Sequence, residues 1–212
     1  MTSFSFFITN TIFSGYKIDS SQKSFRNGII LSMKNAIILH AMEDGPENHW
    51  YPWLKQELEK KGYDVWVPLL PDTNNPQLSK WLSCIMEKGT FTEETIIIGH
   101  SAGGACVLAV LEELNIKIAQ AIVVSGFSFY PGGDGIVKPA YNWQKIQNNV
   151  EEFIIITSDN DPYGHDEVRG RVMLEMLAMD GSVQILVKGQ KHFSTTDDPK
   201  YTEFPLLLRL IK

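Results

Sequence analysis

The sequence predicts an α/β fold in which one sheet of about six mostly parallel strands carries helices on both faces. Six short runs of aliphatic and β-branched residues recur along the chain, and the middle ones are apolar without alternation, as strands buried on both faces are. Helical patterns separate these runs, and a regular alternation of strand and helix is typical of a parallel sheet. With 212 residues, of which 43% are hydrophobic, the chain is long enough to bury the core of one domain.

The strands are predicted from their own composition. They are AIILH (36–40), DVWVP (64–68), TIIIG (95–99), AIVVS (121–125), FIIIT (153–157) and VQILV (183–187). In the last run Val183, Ile185 and Val187 alternate with Gln184, which is the pattern of a strand with one exposed face. We therefore expect this strand at the edge of the sheet.

The helices are predicted from apolar residues that recur every three or four positions. Residues 49–61 have Pro52, which only a first turn tolerates, and Gly62 as a stop. Residues 102–114 are apolar almost all round, so we expect that helix to be buried, and residues 200–212 are predicted to form the last helix. The apolar faces of the others are Trp50, Trp53, Leu54 and Leu58; Leu78, Trp81, Leu82 and Ile85; and Val168, Val172, Met176 and Met179.

The first 32 residues differ in composition from the rest. They are rich in Ser, Thr and Phe, and they have neither a basic region ahead of the apolar part nor a small-residue cleavage site, which argues against a secretory signal. We expect residues 1–32 to be an N-terminal extension that is poorly ordered or dispensable, and residues 33–212 to be the domain. Met33, where the regular pattern begins, is a candidate translation start.

The composition also disfavours several classes of function. A net charge of −6 argues against nucleic acid, and no run approaches the roughly 18 apolar residues of a membrane span. Cys84 and Cys106 form no CxxC pair, which suits a reducing, cytoplasmic setting. The five histidines are scattered without an H-E-x-x-H motif, so we expect no metal and no other cofactor. We expect a monomer or a small homo-oligomer.

Residues 99–103, GHSAG, have the form G-x-S-x-G and stand between a predicted strand and an apolar helical pattern. In this motif a serine lies on a sharp strand-to-helix turn, which packs only if the residues two before and two after it are small. Both are glycine here, and Gly104 lets the helix approach the sheet. The turn presents the hydroxyl at the carboxyl end of the sheet and directs the N–H of Ala102 at a developing oxyanion. Ser101 is therefore the predicted nucleophile of an α/β-hydrolase.

A serine nucleophile needs a histidine base and an acid that orients it, and in this fold they follow in the order Ser, Asp, His. The run FIIIT leads into Ser158-Asp159-Asn160-Asp161-Pro162, where two aspartates compete. Asp161 is favoured because it lies where the loop has left the sheet, and Asp159 is expected to cap the turn. His192 follows the last strand and is the predicted base.

The other histidines are given different roles. His165 is expected to begin the helix after the acid loop and to line the pocket, whereas His49 is expected at the surface. His100 occupies the free position of the serine motif and is interpreted as a packing residue. His40 ends the first strand of the domain, where we expect it to shape the loop that carries a second oxyanion donor and to lie by the substrate.

Five stretches resemble the small serine hydrolases of the retinoblastoma-binding-protein-9 and YdeN type. They are ILHAMEDGPENHWYPWLKQELEKKGYDVWVP, TIIIGHSAGG, YNWQKIQNN, SDNDPY and KHF, and the resemblance covers residues 34–212. It implies a compact α/β-hydrolase with little or no lid, esterase-like activity, and the residues Ser101, Asp161 and His192 as the catalytic triad. It also implies a second oxyanion donor at the backbone N–H of Ala41 or Met42, beside that of Ala102.

The chain departs from this family's pattern at three places. Ala41 stands where many hydrolases have glycine, and alanine does not adopt positive φ cheaply. Lys191 stands where relatives often have glycine before the histidine. The LxCxE sequence of the namesake is absent, since Leu82-Ser83-Cys84-Ile85-Met86 lacks the glutamate, so we expect no retinoblastoma-type partner.

The predicted reaction is hydrolysis of small carboxylic esters through an acyl-enzyme. The stretch 126–152 is too short for a sizeable cap, so we expect an open site that favours short acyl groups. Phe127 is a predicted substrate contact, with Phe129, Tyr130 and Trp143 as further candidates. Glu43 and Asp44 are expected to disfavour anionic substrates. The alternatives are amide or thioester hydrolysis by the same triad, and a catalytically silent binding protein of this fold.

Overall fold

The computed structural model describes residues 23–26, 29–32, 34–129 and 135–212. The chain divides into two compact units, residues 1–32 and residues 33–212. In the first unit, strands β1 (Lys23–Arg26) and β2 (Ile29–Ser32) pair as an antiparallel ribbon. Residues 1–22 lie outside the described residues, and the dispensability of residues 1–32 stays a prediction.

The second unit is built on a six-stranded sheet in which every neighbouring pair of strands is parallel. The strand order is β4-β3-β5-β6-β7-β8. The prediction of a mostly parallel sheet is therefore confirmed, strand by strand. The bounds are β3 Asn35–Leu39, β4 Asp64–Trp66, β5 Thr95–His100, β6 Ile118–Val124, β7 Val150–Thr157 and β8 Ser182–Leu186.

Helices follow the strands, and all those predicted are present. The bounds are α1 Tyr51–Lys60, α2 Leu78–Lys88, α3 Ala102–Glu113, α4 Trp143–Asn148, α5 Glu167–Leu177 and α6 Pro205–Leu210. The short helix α4 was not predicted, and a 3-10 turn at Pro199–Thr202 precedes α6. None of the described helices is long and apolar enough to cross a membrane.

Two hydrophobic clusters cover the two faces of the sheet. Ile37, Leu39 and Ile97 point into the cluster formed with α2, α3, α4 and α5. Their neighbours Ile38 and Ile96 point into the cluster formed with α1 and α6. Successive strand residues face opposite sides, so strands buried on both sides must be apolar at every position. This explains the uninterrupted aliphatic runs and confirms the helices on both faces.

Helix α3 is the innermost helix of the fold. Every residue from Ala102 to Leu111 is buried, as its composition predicts. Its first turn lies so close to the sheet that a Cβ atom at Gly104 would be 2.8 Å from Val123 Cγ1 and 3.0 Å from Gly126 Cα. The glycine therefore sets the distance between this helix and β6.

The predicted apolar face of α5 is wrong, although the helix is present. Val168, Val172 and Met176 are exposed, whereas Met173 is fully buried. The reason is Gly170, where an added Cβ would lie 2.7 Å from Thr157 Cγ2 of β7. The helix approaches the sheet on its glycine side, and the more regular apolar stripe is left on the outside.

Strand β8 lies at the edge of the sheet, and Ile185 and Val187 pack against the core, as predicted, but Val183 and Gln184 depart from the expected pattern. Val183 is 45% exposed, whereas Gln184 is half-buried. The Gln184 amide donates to Thr157 Oγ1 at 3.0 Å and to the carbonyl oxygen of Glu167 at 2.8 Å. Because these two acceptors satisfy the amide, a polar side chain is accommodated between β8 and α5.

Candidate active site

Ser101, Asp161 and His192 all follow carboxyl ends of strands in the sheet. Ser101 comes directly after β5, Asp161 follows β7, and His192 follows β8. Since the strands are parallel, their carboxyl ends meet at one edge, which is where ligands bind in open α/β folds. The topology thus brings side chains that are distant in sequence to the same end of the sheet.

Ser101 lies on a strained turn between β5 and α3. Its backbone has φ 53° and ψ −116°, a conformation that residues other than glycine rarely adopt. A Cβ atom at Gly99 would collide with the backbone of Gly103, and one at Gly103 would collide with the carbonyls of Leu39 and His40. The tight packing of backbone on backbone holds the serine in this conformation.

His192 and Asp161 form a buried pair. His192 Nδ1 lies 2.7 Å from Asp161 Oδ2, and the other carboxylate oxygen accepts the N–H of Tyr163 at 2.9 Å. Burial raises the pKa of Asp161, but the hydrogen bond and charge of His192, with the N–H of Tyr163, outweigh this, so the pKa lies below its ordinary value. The ionised carboxylate accepts from Nδ1–H, which leaves Nε2 as the basic nitrogen of the neutral ring.

The competing aspartate has a different partner. Asp159 Oδ1 accepts the backbone N–H of Gly189 at 2.7 Å. It is exposed, whereas Asp161 is 8% exposed. The structure therefore pairs His192 with Asp161 and leaves Asp159 to hold the neighbouring turn.

A cavity of about 530 Å³ brings most of the predicted site residues together. The predicted residues on its wall are Ala41, Met42, Ser101, Ala102, Phe127, His165 and His192. Within the described part of the chain the Ser101 hydroxyl forms no hydrogen bond with the His192 imidazole. A more open hollow of about 1140 Å³ lies along α2 and the preceding loop, and none of the predicted site residues lines it.

His40 does not line the cavity, so its predicted contact with substrate is corrected. Its side chain is fully buried, and both ring nitrogens are occupied: Nδ1–H donates to the carbonyl of Ala41 at 2.7 Å, and Nε2 accepts the N–H of Leu70 at 3.0 Å. Burial lowers the pKa of His40 and keeps the ring neutral. The residue joins two loops, which agrees with the prediction that it shapes the loop after β3.

The loop after β3 carries the two backbone N–H groups predicted as the second oxyanion donor, those of Ala41 and Met42. The N–H of Ala41 donates to the Tyr51 hydroxyl at 3.2 Å, and the N–H of Glu43 donates to the carbonyl of Thr73 at 2.9 Å. Among the described residues, no hydrogen bond uses the N–H of Met42 or of Ala102. The positive φ of this loop falls on Glu43, at 64°, and not on Ala41, so alanine is tolerated where relatives have glycine.

Phe127 and His165 form one wall of the cavity. Their rings stack with centroids 4.3 Å apart and an interplanar angle of 13°, and both side chains are buried. Among the described residues, His165 Nδ1 has no hydrogen-bond partner. Burial, and then the charge of His192, lower the pKa of His165 to about 4, so the ring is neutral near pH 7.

The other aromatic candidates lie elsewhere. Trp143 packs against the hydrophobic cluster on the α3 side of the sheet and does not line the cavity. Phe129 is 68% exposed. Tyr130 lies outside the described residues.

Two histidines in the site were misassigned from the sequence. His49, expected at the surface, is half-buried on the cavity wall, and its Nε2 lies 2.9 Å from Asp44 Oδ2. His100, interpreted as a packing residue, uses both ring nitrogens: Nδ1 lies 2.6 Å from the Tyr51 hydroxyl and Nε2 lies 2.8 Å from the carbonyl oxygen of His192. The available signal was the polar cluster NHWY at the start of a predicted amphipathic helix.

Asp44, His49 and His100 are also the described group of side chains best placed for a metal ion, with ligand atoms within 4.8 Å of one another. Their atoms are already used in hydrogen bonds, since His49 also bonds Thr195 and His100 also bonds the carbonyl of His192. Burial, and then the charges of His192 and His49, lower the pKa of His100 to about 3. The three side chains thus form a hydrogen-bond network around Asp44.

Comparisons with known proteins agree with this geometry. The family model described as serine hydrolase matches residues 36–199. The hydrolase YdeN of Bacillus subtilis is 29% identical over 135 residues, which cover 60% of this chain and 71% of YdeN. The serine hydrolase RBBP9 of Rattus norvegicus is 28% identical over 120 residues, 54% of this chain but only 63% of the rat protein.

Solved structures share the fold. The crystal structure of the B. subtilis ydeN gene product superposes with a TM-score of 0.74 at 24% identity, over 84% of this chain and 96% of that one. Est1E from Butyrivibrio proteoclasticus, solved with ferulic acid bound, has a TM-score of 0.61 at 14% identity, over 84% and 90% of the two chains. At these identities the likeness shows the α/β-hydrolase fold alone.

Proposed function

Because this chain belongs to the serine hydrolase family, we propose that it hydrolyses small carboxylic esters, with Ser101 as nucleophile, His192 as base and Asp161 as the orienting acid. The observation that carries the proposal is the buried His192–Asp161 pair, 2.7 Å apart, on the cavity that also contains the strained Ser101. Strain at a cavity residue is typical of functional sites.

In the first half of the proposed reaction, Ser101 Oγ attacks the ester carbonyl carbon while its proton moves to His192 Nε2. The hydroxyl and the imidazole are not hydrogen-bonded in the free protein, so the two groups must approach on substrate binding, as catalytic groups commonly do. The Asp161 carboxylate stabilises the imidazolium that forms. His192 then gives its proton to the departing alkoxide, and the acyl group remains on Ser101.

In the second half, water attacks the acyl-enzyme carbonyl and loses a proton to His192, which passes it to Ser101 as the acid product leaves. Both tetrahedral intermediates carry an oxyanion. The N–H groups of Met42 and Ala102 are the proposed donors, because the N–H of Ala41 is already bound to Tyr51. Preorganised donors of this kind contribute about 3–4 kcal/mol each to transition-state stabilisation.

The cavity supports a small substrate. Its volume of about 530 Å³ is in the range of small-molecule sites. Phe127, Ile136 and Tyr163 offer apolar surface for a short acyl or alcohol group, and Glu43 and Asp44 add acidic groups to the wall. We therefore propose short, uncharged esters as substrates and expect carboxylate-bearing esters to react more slowly.

The test combines covalent labelling with a substrate series. A fluorophosphonate probe is expected to label the wild type and not Ser101→Ala, and p-nitrophenyl acetate is expected to turn over faster than long-chain or carboxylate-bearing esters. Ser83→Ala, which alters an exposed serine on α2, is the matched control and should behave as wild type. Labelling that survives Ser101→Ala would overturn the assignment. Labelling without ester turnover would direct the search to amides and thioesters.

A further inference from the structure

The loop that carries His192 is strained on both sides of the histidine. Lys191 has φ 53° and Phe193 has φ 55°, so two residues with ordinary side chains adopt a left-handed conformation in succession around it. For a residue other than glycine this conformation is less favourable than the right-handed or extended ones. Local backbone preference therefore does not hold His192 in place, and the loop depends on contacts from elsewhere in the fold.

Two of these contacts come from the start of α1. Trp50 Nε1–H donates to the carbonyl oxygen of Phe193 at 3.0 Å. The N–H of Thr195 donates to His49 Nδ1 at 3.1 Å, and the Thr195 hydroxyl lies 2.7 Å from the same nitrogen. His49 is itself held with φ 51°, so this bond forms between two segments that are both constrained.

The next residue along the chain, Tyr51, reaches the same loop through His100. A carbonyl oxygen only accepts, so His100 Nε2–H donates to His192 at 2.8 Å, and Nδ1 is left facing the Tyr51 hydroxyl at 2.6 Å. Tyr51 and His100 are both fully buried. The backbone carbonyl of His192 itself is therefore held by a hydrogen bond from His100.

The Tyr51 hydroxyl also contacts the loop after β3. It accepts the N–H of Ala41 at 3.2 Å and lies 2.9 Å from Asp44 Oδ2. The Ala41 N–H and the Met42 N–H belong to consecutive peptides, so the bond to Tyr51 constrains the backbone that carries the Met42 N–H. One hydroxyl thus contacts both the loop of the proposed oxyanion donor and, through His100, the loop of the proposed base.

We infer that the three consecutive residues His49, Trp50 and Tyr51 are positioning residues, which hold the His192 loop and the Met42 loop in fixed positions relative to Ser101. The expected effect on catalysis rests on the proposed function. The clamp, by which we mean the hydrogen bonds that link His49, Trp50 and Tyr51 to the two loops, concerns loop structure alone. None of the three residues is required to exchange a proton with substrate. Their removal should therefore affect the geometry of the transition state more than the binding of substrate.

The direct test is Tyr51→Phe, which removes one hydroxyl and leaves the ring. We expect kcat for p-nitrophenyl acetate to fall about 10-fold to 100-fold while KM changes less than about 3-fold, since displacements of about 1 Å have effects of this size. Tyr63→Phe is the matched control, because its hydroxyl bonds the carbonyl of Lys212 away from the cavity. It should retain wild-type kcat.

A second comparison guards against a general loss of stability. Trp50→Phe and Trp81→Phe each remove one indole N–H bond, to Phe193 and to Pro71 respectively. Only Trp50→Phe should lower kcat at equal KM. By hydrogen–deuterium exchange, Tyr51→Phe and Trp50→Phe should both speed exchange in residues 189–196, and neither control should.

The two proposals fail in different ways. Wild-type exchange in residues 189–196 of Tyr51→Phe and Trp50→Phe would overturn the clamp, whatever the activity. A wild-type protein that neither hydrolyses esters nor reacts with fluorophosphonate at Ser101 would overturn the proposed function, and the exchange measurement would still decide the clamp.

Discussion

The backbone N–H of Lys191 donates a 2.8 Å hydrogen bond to Oδ1 of Asn160, next to the His192–Asp161 pair in both segments. It is one of four hydrogen bonds, each of which joins one residue of the segment 158–161 to one residue of the segment 189–192. The other members are Ser158 with Gln190 at 2.9 Å, Asp159 with Gly189 at 2.7 Å, and Asp161 with His192 at 2.7 Å. The loop that carries Asp161 and the loop that carries His192 are thus joined by hydrogen bonds at four successive positions.

Asn160→Ala should lower kcat about 10-fold and cost about 1 kcal/mol of the free energy of unfolding, because the N–H of the strained Lys191 loses its acceptor. Asn160→Asp keeps an oxygen at that position and is expected to restore most of the activity. Steady-state kinetics and urea unfolding of the two variants check this. Equal kcat in Asn160→Ala and the wild type would show that the bond has no positioning effect.

Asp161→Asn should reduce kcat about 10³-fold to 10⁴-fold, because an amide in place of the carboxylate favours the wrong tautomer of His192 and leaves the imidazolium unpaired. Asp159→Asn keeps the oxygen that accepts from Gly189 and should stay within about 3-fold of wild type. The measurement is kcat with p-nitrophenyl acetate. A larger loss in Asp159→Asn would reverse the assignment of the acid.

Gly103→Ala should destabilise the domain by about 3 kcal/mol or abolish folding, since its Cβ would collide with the carbonyls of Leu39 and His40. Gly45→Ala is the matched control, because a Cβ there meets Leu69 at an ordinary 3.5 Å. It should change the free energy of unfolding by less than about 0.5 kcal/mol. Urea unfolding followed by circular dichroism makes the comparison, and equal midpoints would contradict the packing argument.

Met173→Ala should cost about 2–4 kcal/mol, since the side chain is fully buried between α5 and the sheet. Met176→Ala, on the exposed side of the same helix, should cost less than about 0.5 kcal/mol. Thermal or urea unfolding of the pair tests which face of α5 is buried. The opposite ranking would restore the face predicted from periodicity.

Acidification should destabilise the fold well above the range in which carboxylates titrate. Burial lowers the pKa of His40, lowers that of His100 to about 3 and lowers that of His165 to about 4. Between about pH 6.5 and 4 the unfolded chain therefore binds protons that the folded one does not, and the free energy of unfolding falls as pH falls. The slope is at most about 1.4 kcal/mol per pH unit for each histidine.

Urea unfolding at pH 7 and pH 5.5 measures this slope. The wild type should lose at least about 2 kcal/mol between the two values, and His165→Gln should lose less, because one titrating group is removed. Identical losses in both proteins would mean that His165 takes up its proton in the folded state. Asp161, with a lowered pKa, adds a further loss only below about pH 4.

The elements of the fold were predictable because their signals are local. Burial on both faces makes residues 96–98 of β5 and 153–156 of β7 apolar without a break, and burial all round does the same for residues 102–111 of α3. The turn at Ser101 needs glycine two residues away on each side, which is readable in five letters. The order of strand ends then placed Asp161 and His192 near it, since parallel strands end at one edge.

The face of α5, the hydrogen bond of the Ala41 N–H, and the contacts of His49 and His100 depended on partners far away in the chain. Gly170 sets the α5 face through Thr157, and Tyr51 occupies the Ala41 N–H. The periodicity of apolar residues predicts which side chains share one face of a helix, but it does not identify the residues against which that face packs. A buried polar group is readable only once its hydrogen-bond partner is known, and those partners come together only when the chain has folded.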